Sequence, residues 1–171
     1  QMGAVRPNVF KKPDRIADSW GRIQLEQFDL KPEDIRTKRL DFIPFSKTGY
    51  NIQEADIIVA GGRGMGSKEN FDKLYELADA IGGVVGATRP LVEKGWIELP
   101  YQVGQTGKTV SPKLYLAFGI SGAIQHVSGI SGADTIVAIN NDPKAEIFQH
   151  ANYGIVGDCI EVLNDMLAHL K

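Results

Sequence analysis

The sequence predicts an α/β fold: a three-layer domain with a mostly parallel, doubly wound sheet and an N-terminal strand and linker appendage. From Ala55 onward, short apolar runs of strand length alternate with segments of helical spacing, which is typical of a parallel sheet covered on both faces. Glycine-rich or polar loops follow three of these runs, at the edge of such a sheet where ligands bind. With 171 residues, 43% of them hydrophobic, the chain is long enough for one such core.

Residues 1–50 are predicted to be a linker and a strand pair from the end of a preceding domain, and residues 51–171 the main domain. Segments 22–30 and 37–45 alternate apolar and polar residues, as half-buried strands do. Residues 31–34 (Lys-Pro-Glu-Asp) indicate a turn between them, so the two segments are predicted to form a hairpin that can belong to a neighbouring domain. We therefore expect the chain to be a piece of a longer protein.

The first half of the main domain is predicted as strand, glycine loop, helix and strand. Residues 57–59 are a buried strand followed by the glycine loop 61–66, and Ser67 caps the next helix. The apolar residues of that helix recur at helical spacing, and they are Phe71, Leu74, Tyr75, Ala78 and Ile81. Two glycines end it, and a short strand at Val84-Val85 and a short helix over 89–94 follow.

The second half is predicted to contain three further strands and two helices. The strands cover residues 114–118, 135–139 and 154–156, and a short helix covers 122–127. Asp158, with a glutamate three residues later, forms a capping box for a final helix that continues to Leu170.

Composition excludes several classes of protein. The formal net charge is −2 and the lysines and arginines are scattered, so we expect no nucleic-acid partner. No segment approaches the ~18 apolar residues of a membrane span, so we expect no membrane insertion. The single cysteine excludes a disulfide within the chain, and no Cys/His cluster has the spacing of a zinc site.

Two glycine-rich loops resemble nucleotide-binding motifs without matching them. Loop 61–66 lies between a strand and a helix, but Ser67 stands where the third glycine of the dinucleotide fingerprint falls. No acidic residue follows the second strand at the usual distance, because that strand ends in Gly-Ala-Thr-Arg (86–89). Loop 104–109 contains Gly-Lys-Thr, but Gln102 occupies the first glycine position of a triphosphate-binding loop and Pro112 opposes a helix there. A standard NAD site and an NTPase are therefore disfavoured, although a tight turn remains an alternative for loop 61–66.

Single polar residues at the predicted ligand edge have structural as well as functional interpretations. Arg89 precedes a proline at a strand-to-helix junction, where an arginine is usually part of a surface ion pair. His126 lies in a predicted helix, and a lone histidine is more often structural than catalytic. Cys159 at a helix start has no neighbouring base, so we interpret it as a packing residue.

Taken together, the motifs from Ala55 onward resemble the FAD-binding domain of the electron transfer flavoprotein alpha subunit, which is Rossmann-like. The matching motifs are Gly61-Gly62-Arg63-Gly64, Gly86-Ala87-Thr88-Arg89, residues 102–108 (Gln-Val-Gly-Gln-Thr-Gly-Lys), 119–126 (Gly-Ile-Ser-Gly-Ala-Ile-Gln-His), 138–143 (Ala-Ile-Asn-Asn-Asp-Pro) and 153–158 (Tyr-Gly-Ile-Val-Gly-Asp). They cover about two-thirds of the chain in order, and Val5-Arg6-Pro7 is similar to the family's connection from its first domain, which is otherwise absent.

The resemblance implies a set of FAD-contacting residues. These are Arg63, Thr88, Arg89, Gln102, Val103, Gly104, Gln105, Thr106, Ser121, Gly122, Ala123, Ile124, Gln125, His126, Asn140, Asp158 and Cys159. The glycine-loop amides and Ser121 would hold the pyrophosphate, with Asn140 and Asp158 towards the adenosine. Arg89, Thr106, Gln125 and His126 would surround the flavin ring, with the Thr106 hydroxyl near ring nitrogen N5. The sequence departs from the family at Thr88, Asn141 and Cys159, where serine, lysine and leucine are frequent.

The resemblance also implies the function. It implies an electron carrier rather than a substrate-transforming enzyme: a heterodimer with the electron transfer flavoprotein beta subunit that accepts electrons from flavoprotein dehydrogenases and passes them to a downstream acceptor. The bacterial cytoplasm, or the mitochondrial matrix in a eukaryote, is the implied compartment. A fixed guanidinium at Arg89 and an imidazole at His126 would stabilise negative charge on the reduced ring. The alternatives are a nicotinamide-dependent oxidoreductase domain and a non-redox adenine-nucleotide-binding module.

Overall fold

The computed structural model describes residues 14–18, 20–27, 29, 31–41 and 51–170. Within residues 51–170 the chain forms a five-stranded sheet with helices on its faces, which confirms the predicted α/β class. The strands are β1 Ile57–Gly61, β2 Val84–Ala87, β3 Leu114–Phe118, β4 Thr135–Asn140 and β5 Tyr153–Val156. The helices are α1 Lys68–Ile81, α2 Arg89–Glu93, α3 Ile124–Val127 and α4 Cys159–His169.

The strand order is β2-β1-β3-β4-β5, and every neighbouring pair is parallel. The chain therefore first builds outward from β1 to β2 and then crosses back to add β3, β4 and β5 on the other side. In doubly wound sheets of this order the crevice for a ligand opens between β1 and β3, at their carboxyl ends. The loops after β1 and β3, which begin at Gly62 and Gly119, lie at this point.

The two faces of the sheet pack against two separate apolar clusters. Side chains alternate along the strands, so Leu116 and Phe118 of β3 join a cluster with α1 and α4. Tyr115 and Ala117 face the opposite way and join a cluster with α3 and the loops that flank it. Strands β1, β3 and β4 are thus largely buried on both faces, as their continuous apolar sequence predicted, whereas the edge strand β5 is exposed along its length.

Helix α1 begins and ends at the predicted residues. The Ser67 hydroxyl accepts a hydrogen bond from the Asn70 amide, and Gly82 takes a left-handed conformation (φ 69°) that ends the helix. One apolar position is predicted wrongly, because Leu77 is buried whereas Tyr75 is 42% exposed. The buried face of α1 therefore includes Leu77 in place of Tyr75 and differs slightly in direction from the predicted apolar stripe.

The two later helices follow the predicted order with one shifted boundary. Helix α3 begins at Ile124 rather than at 122, because Gly122 has a φ of 92° that a right-handed helix excludes. The Asp158 carboxylate accepts hydrogen bonds from the amides of Ile160 and Glu161, at 2.7 and 3.3 Å, so it caps α4 as predicted.

The predicted hairpin is not formed in the part of residues 22–45 that the structure describes. Those residues pair with no strand, although Pro32–Asp34 form a single 3-10 turn at the predicted turn. Ile23, Leu25 and Leu40 are 88%, 90% and 91% exposed, so no apolar surface covers the segment and strand pairing gains no stabilisation from burial. Val5-Arg6-Pro7 and the end of the second predicted strand, 42–45, lie outside the described residues.

Candidate functional site

A cavity of about 890 Å³ lies at the carboxyl ends of β1, β3 and β4. Its wall combines the glycine loops after β1 and β3, the start of α2, the loop around Gly104 and the turn after β4. Most of the residues predicted to contact a ligand line it, and these are Arg63, Thr88, Arg89, Val103, Gly104, Thr106, Ser121, Ala123, Gln125, His126 and Asn140. The topology therefore brings five sequence motifs to one place.

The two glycine loops are packed backbone against backbone. The Gly62 amide donates to the Phe118 carbonyl and the Gly64 amide to the Gly119 carbonyl, both at 2.9 Å. A Cβ on Gly119, which has a φ of 61°, would lie 2.7 Å from the Gly64 Cα. Glycine is required here because no side chain fits between the loops, so the loops expose main chain to the cavity.

Residues 102–108 form a compact loop that reaches across to α3. The Val103 amide donates to the Ala87 carbonyl at 2.9 Å, and the Gln105 amide donates to the Gln125 carbonyl at 2.6 Å. The segment contains no helix, as expected from its failure to match a triphosphate-binding loop. Behind the cavity wall, the Nε2 of the buried Gln102 donates to the Thr106 hydroxyl oxygen at 2.9 Å.

His126 is buried, and both of its ring nitrogens have partners. The Val103 carbonyl oxygen lies 3.0 Å from Nδ1 and can only accept, so Nδ1 carries the proton. Nε2 then accepts from the Tyr115 hydroxyl, 3.0 Å away. Burial lowers the pKa of His126 to about 4. The hydrogen bond to the Val103 carbonyl raises the pKa, but by less than burial lowers it. The ring at the cavity is therefore neutral at pH 7 and, in this structure, supplies no positive charge, in contrast to the charge-stabilising role that the sequence suggested.

Arg89 makes the ion pair that is common at such junctions and also lines the cavity. Its Nε lies 2.7 Å from Oε1 of Glu93, one turn later in α2, and both side chains are more than half exposed. An exposed pair of this kind is weak because solvent screens it. The Arg89 guanidinium can thus leave Glu93 and contact a ligand at the cavity edge without breaking a buried ion pair.

Asn140 and Thr88 are both buried at the cavity wall, but only the Asn140 side chain has hydrogen-bond partners among the described residues. The Asn140 side chain donates to the Ile120 carbonyl at 2.8 Å and accepts from the Asp142 amide at 2.9 Å, so it ties the loops after β3 and β4 together. The Thr88 hydroxyl oxygen is buried and has no hydrogen-bond partner among the described residues. A buried polar atom without a partner is costly and indicates a place where a ligand or a water molecule completes the site.

The remaining predicted residues do not line the cavity, and their contact with a ligand remains a prediction. Gln102 lies behind the wall, Gln105 and Ile124 are exposed beside it, and Gly122 is buried against the turn at Ile147. Asp158 and Cys159 form the start of α4. The Cys159 thiol donates to the Gly64 carbonyl at 3.4 Å, and burial raises its pKa to about 11, in agreement with a packing role.

The cavity wall also contains charged residues that the sequence analysis did not select. Asp142, Lys144, Glu146 and Glu93 line it together with the expected arginines. The residues after β4 form a turn, in which the Asp142 side chain accepts from the Lys144 amide at 2.9 Å. The position of this turn directly after β4, at the ligand edge, was the signal that could have identified it.

The part of the chain that the structure describes contains neither a candidate metal cluster nor a helix suited to span a membrane. No group of histidine, cysteine, aspartate and glutamate side chains is arranged to hold a metal ion among those residues. None of the described helices has the length and apolarity required to span a bilayer.

Comparison with known proteins shows a consistent similarity. Residues 51–131 match the family model described as the electron transfer flavoprotein FAD-binding domain. The chain is 52% identical over its whole length to the electron transfer flavoprotein subunit alpha of Thermoanaerobacterium thermosaccharolyticum, covering 52% of that protein. It is 53% identical over its whole length to protein FixB of Clostridium saccharobutylicum, covering 51% of it. It is 51% identical to the subunit alpha of Megasphaera elsdenii over 95% of the chain and 49% of that protein. The chain thus spans about half the length of the curated relatives it matches.

Proposed function

The chain belongs to the electron transfer flavoprotein alpha-subunit family, and on that premise we propose that its cavity holds FAD non-covalently and that the domain relays electrons between partner proteins. One observation carries the proposal. The segment that matches the family's FAD-binding domain, 51–131, includes both glycine loops, Thr88, the 102–108 loop and α3, which together form most of the cavity wall. FAD is the cofactor of that domain family.

The residues present are suited to a large nucleotide cofactor. A volume of about 890 Å³ is near the upper end of ligand cavities, so the site has room for an extended molecule rather than a small metabolite. The Gly62 and Gly64 amides are bonded to the carbonyls of residues 118 and 119, so a pyrophosphate would bind the other main-chain amides of these loops, with no bulky side chain intervening. The orphaned Thr88 hydroxyl would gain a partner from any acceptor on the ligand.

We assign roles along the cofactor by the family's motifs. The glycine-loop amides and Ser121 would hold the pyrophosphate, and Asn140 and Asp158 would lie towards the adenosine. Arg89, Thr106, Gln125 and His126 would surround the flavin ring, which supplies the capacity to accept and release electrons.

The electrostatic role at the flavin falls mainly on Arg89. Its guanidinium remains charged at all relevant pH values, whereas His126 is neutral with both ring nitrogens already bonded. Glu93 partly offsets the Arg89 charge, but this pair is exposed and able to rearrange. We therefore expect His126 to contribute shape and a polar ring, and Arg89 to contribute charge.

The partners of the complete protein are also proposals, because the chain spans about half of its relatives. Since two of the relatives described above are named subunit alpha, we infer a beta subunit as the partner in a heterodimer, with flavoprotein dehydrogenases as donors and a further acceptor. Residues 1–50 would belong to the end of a preceding domain. The exposed apolar side chains of the described part of this segment, such as Trp20 and Leu25, support that assignment because they need a covering surface.

The proposal is tested by the cofactor that the purified chain binds. Calorimetric titration with FAD, NAD and AMP, combined with visible absorption spectra, separates the carrier from the nicotinamide-dependent and adenine-nucleotide alternatives. We expect binding of FAD with shifted flavin bands, and an affinity lower than in the complete heterodimer. Folded protein that binds NAD or AMP but not FAD would refute the proposal.

A further inference from the structure

The bond between Gln102 and Thr106 sets the direction of a hydroxyl at the cavity. Gln102 is only 4% exposed, and its Nε2 lies 2.9 Å from the Thr106 Oγ1. Thr106 itself is exposed and lines the cavity. A buried side chain behind the wall therefore contacts a polar atom that a ligand would meet.

The surrounding loop holds Gln102 in place. Its carbonyl accepts from the Lys108 amide at 2.7 Å, which closes the loop on itself. Gly107 packs so closely on Gln102 that a Cβ there would lie 2.9 Å from the Gln102 Cγ, and would also collide with its carbonyl. The backbone and Cγ of Gln102 are therefore held beside the loop, which keeps its amide group within reach of Thr106.

The chemistry of the two groups determines which way the bond runs. An amide NH₂ can only donate, so the Thr106 oxygen is the acceptor in this bond. A hydroxyl has one proton, and that proton is not used in the bond to Gln102. It remains for an acceptor on the cavity side.

We propose that Gln102 is a positioning residue that commits the Thr106 hydroxyl to donate to an acceptor nitrogen of the bound flavin. The inference rests on the proposed function and deepens it. Gln102 does not itself line the cavity, yet it would then determine whether the site prefers a flavin whose N5 accepts a hydrogen bond.

The test compares FAD with 5-deaza-FAD, in which a C–H replaces the acceptor nitrogen N5. Calorimetry with the 171-residue chain gives the ratio of the two affinities for the wild type and for variants. We expect the wild type to prefer FAD by about three- to tenfold, as one hydrogen bond is worth. Thr106→Ser should keep the preference, and Thr106→Val should abolish it.

Gln102→Glu is the decisive variant. A carboxylate accepts the Thr106 proton, so the hydroxyl is still present but no longer donates to the ligand. The titration is run at about pH 8, because burial raises the pKa of a carboxyl group. We expect the FAD preference to fall to the Thr106→Val level. Gln102→Met, which removes the amide without adding an acceptor or a titratable group, should give a smaller fall.

Gln53→Glu is the matched control. Gln53 donates through Nε2 to the Thr109 carbonyl at 3.2 Å, so its replacement makes the same chemical change near the same loop without contacting Thr106. The preference should stay at the wild-type value. If Gln102 only supports the loop, Gln102→Glu will weaken both cofactors equally and leave their ratio unchanged, which would overturn the inference. Failure of the wild type to bind either cofactor would instead refute the proposed function.

Discussion

The hydroxyl of Tyr115 lies 3.0 Å from Nε2 of His126, beneath the cavity and out of contact with solvent. Tyr115 is completely buried, and desolvation raises its pKa, so the phenol keeps its proton and donates it. With Val103 accepting from the other nitrogen, the imidazole is held in one neutral tautomer. The pair thus links the core of the sheet to the wall of the proposed FAD site.

The buried neutral His126 makes the stability of the cofactor-free domain depend on pH. Its pKa is about 4 in the folded chain and about 6.5 when unfolded, so the unfolded state binds more protons between these values. The stabilisation is fully present above pH 6.5 and is lost as pH falls towards 4. We expect the free energy of unfolding to drop by about 2 kcal/mol from near pH 7.5 to near pH 5, measured by urea unfolding.

The variant His126→Gln isolates this contribution because glutamine does not titrate. Its unfolding free energy should show a smaller decrease over the same pH range, by the amount assigned to His126. His150→Gln, at an exposed position, controls for the loss of a histidine. An equal pH dependence in wild type and His126→Gln would mean that His126 is not held neutral by the fold.

The orphaned hydroxyl of Thr88 predicts opposite effects on stability and binding. Thr88→Val keeps the branched shape and removes a buried polar atom that has no partner among the described residues. The cofactor-free protein should become more stable by about 1 kcal/mol, while FAD affinity should fall about three- to tenfold because the ligand loses a partner. Thermal unfolding and calorimetry measure the two effects.

Thr135 offers a control for that substitution, because it begins β4 at the end of the sheet away from the cavity. Thr135→Val should leave FAD affinity unchanged. If Thr88→Val lowers the stability and leaves the affinity unaltered, the hydroxyl is structural and has no ligand to bind.

Gly122 is a poor probe of ligand approach, because the fold itself requires glycine there. It has a φ of 92°, and a Cβ would lie 2.5 Å from the Ile147 Cα and collide with the neighbouring amide. A substitution at Gly122 should therefore disturb the packing of two loops. We expect Gly122→Ala to lower the unfolding free energy by about 2 kcal/mol or more, measured by urea unfolding.

Gly82 separates backbone strain from steric collision in this comparison. It is left-handed, with a φ of 69° and a ψ of 35°, but a Cβ there would meet no atom within 4 Å. Gly82→Ala should therefore cost only the strain of a left-handed residue, about 1 kcal/mol. Equal losses in the two variants would show that the Gly122 loop relaxes around a side chain.

The sequence predicted the sheet, and the edge of the sheet where the cavity lies, better than it predicted the protonation and contacts of individual side chains. Buried parallel strands such as Leu114–Phe118 are continuous apolar runs, so the run and its flanking glycines are enough to predict the strand. The neutral state of His126 was not predictable, because it depends on Tyr115 and on a carbonyl 23 residues away. The described part of residues 22–45 forms no strand pair, because alternation indicates a half-buried strand only when a surface exists to bury it.

The last prediction concerns Arg89, whose charge distinguishes an electron carrier from a passive nucleotide-binding site. A permanent cation beside the flavin stabilises the reduced ring, which carries negative charge, more than the oxidised ring. Arg89→Ala should therefore lower the first reduction potential of bound FAD by roughly 40 mV or more, since about 1 kcal/mol at a solvated site corresponds to that shift. Binding of oxidised FAD should change less. A stepwise dithionite titration in the presence of a redox dye of known potential, followed by visible spectroscopy, measures the potential.

Two further variants decide whether the Arg89 effect comes from its position or merely from its charge. Arg89→Lys should recover only part of the potential, because an ammonium is flexible and cannot stack on a ring as the planar guanidinium can. Lys94→Ala removes a cation from the residue that ends α2, where Nζ lies 4.9 Å from the centre of the Trp96 ring and outside the cavity wall. It should leave the potential unchanged. If the wild type and all three variants have equal potentials, Arg89 serves only in its ion pair with Glu93. The carrier proposal would then have no residue that supplies positive charge at the flavin.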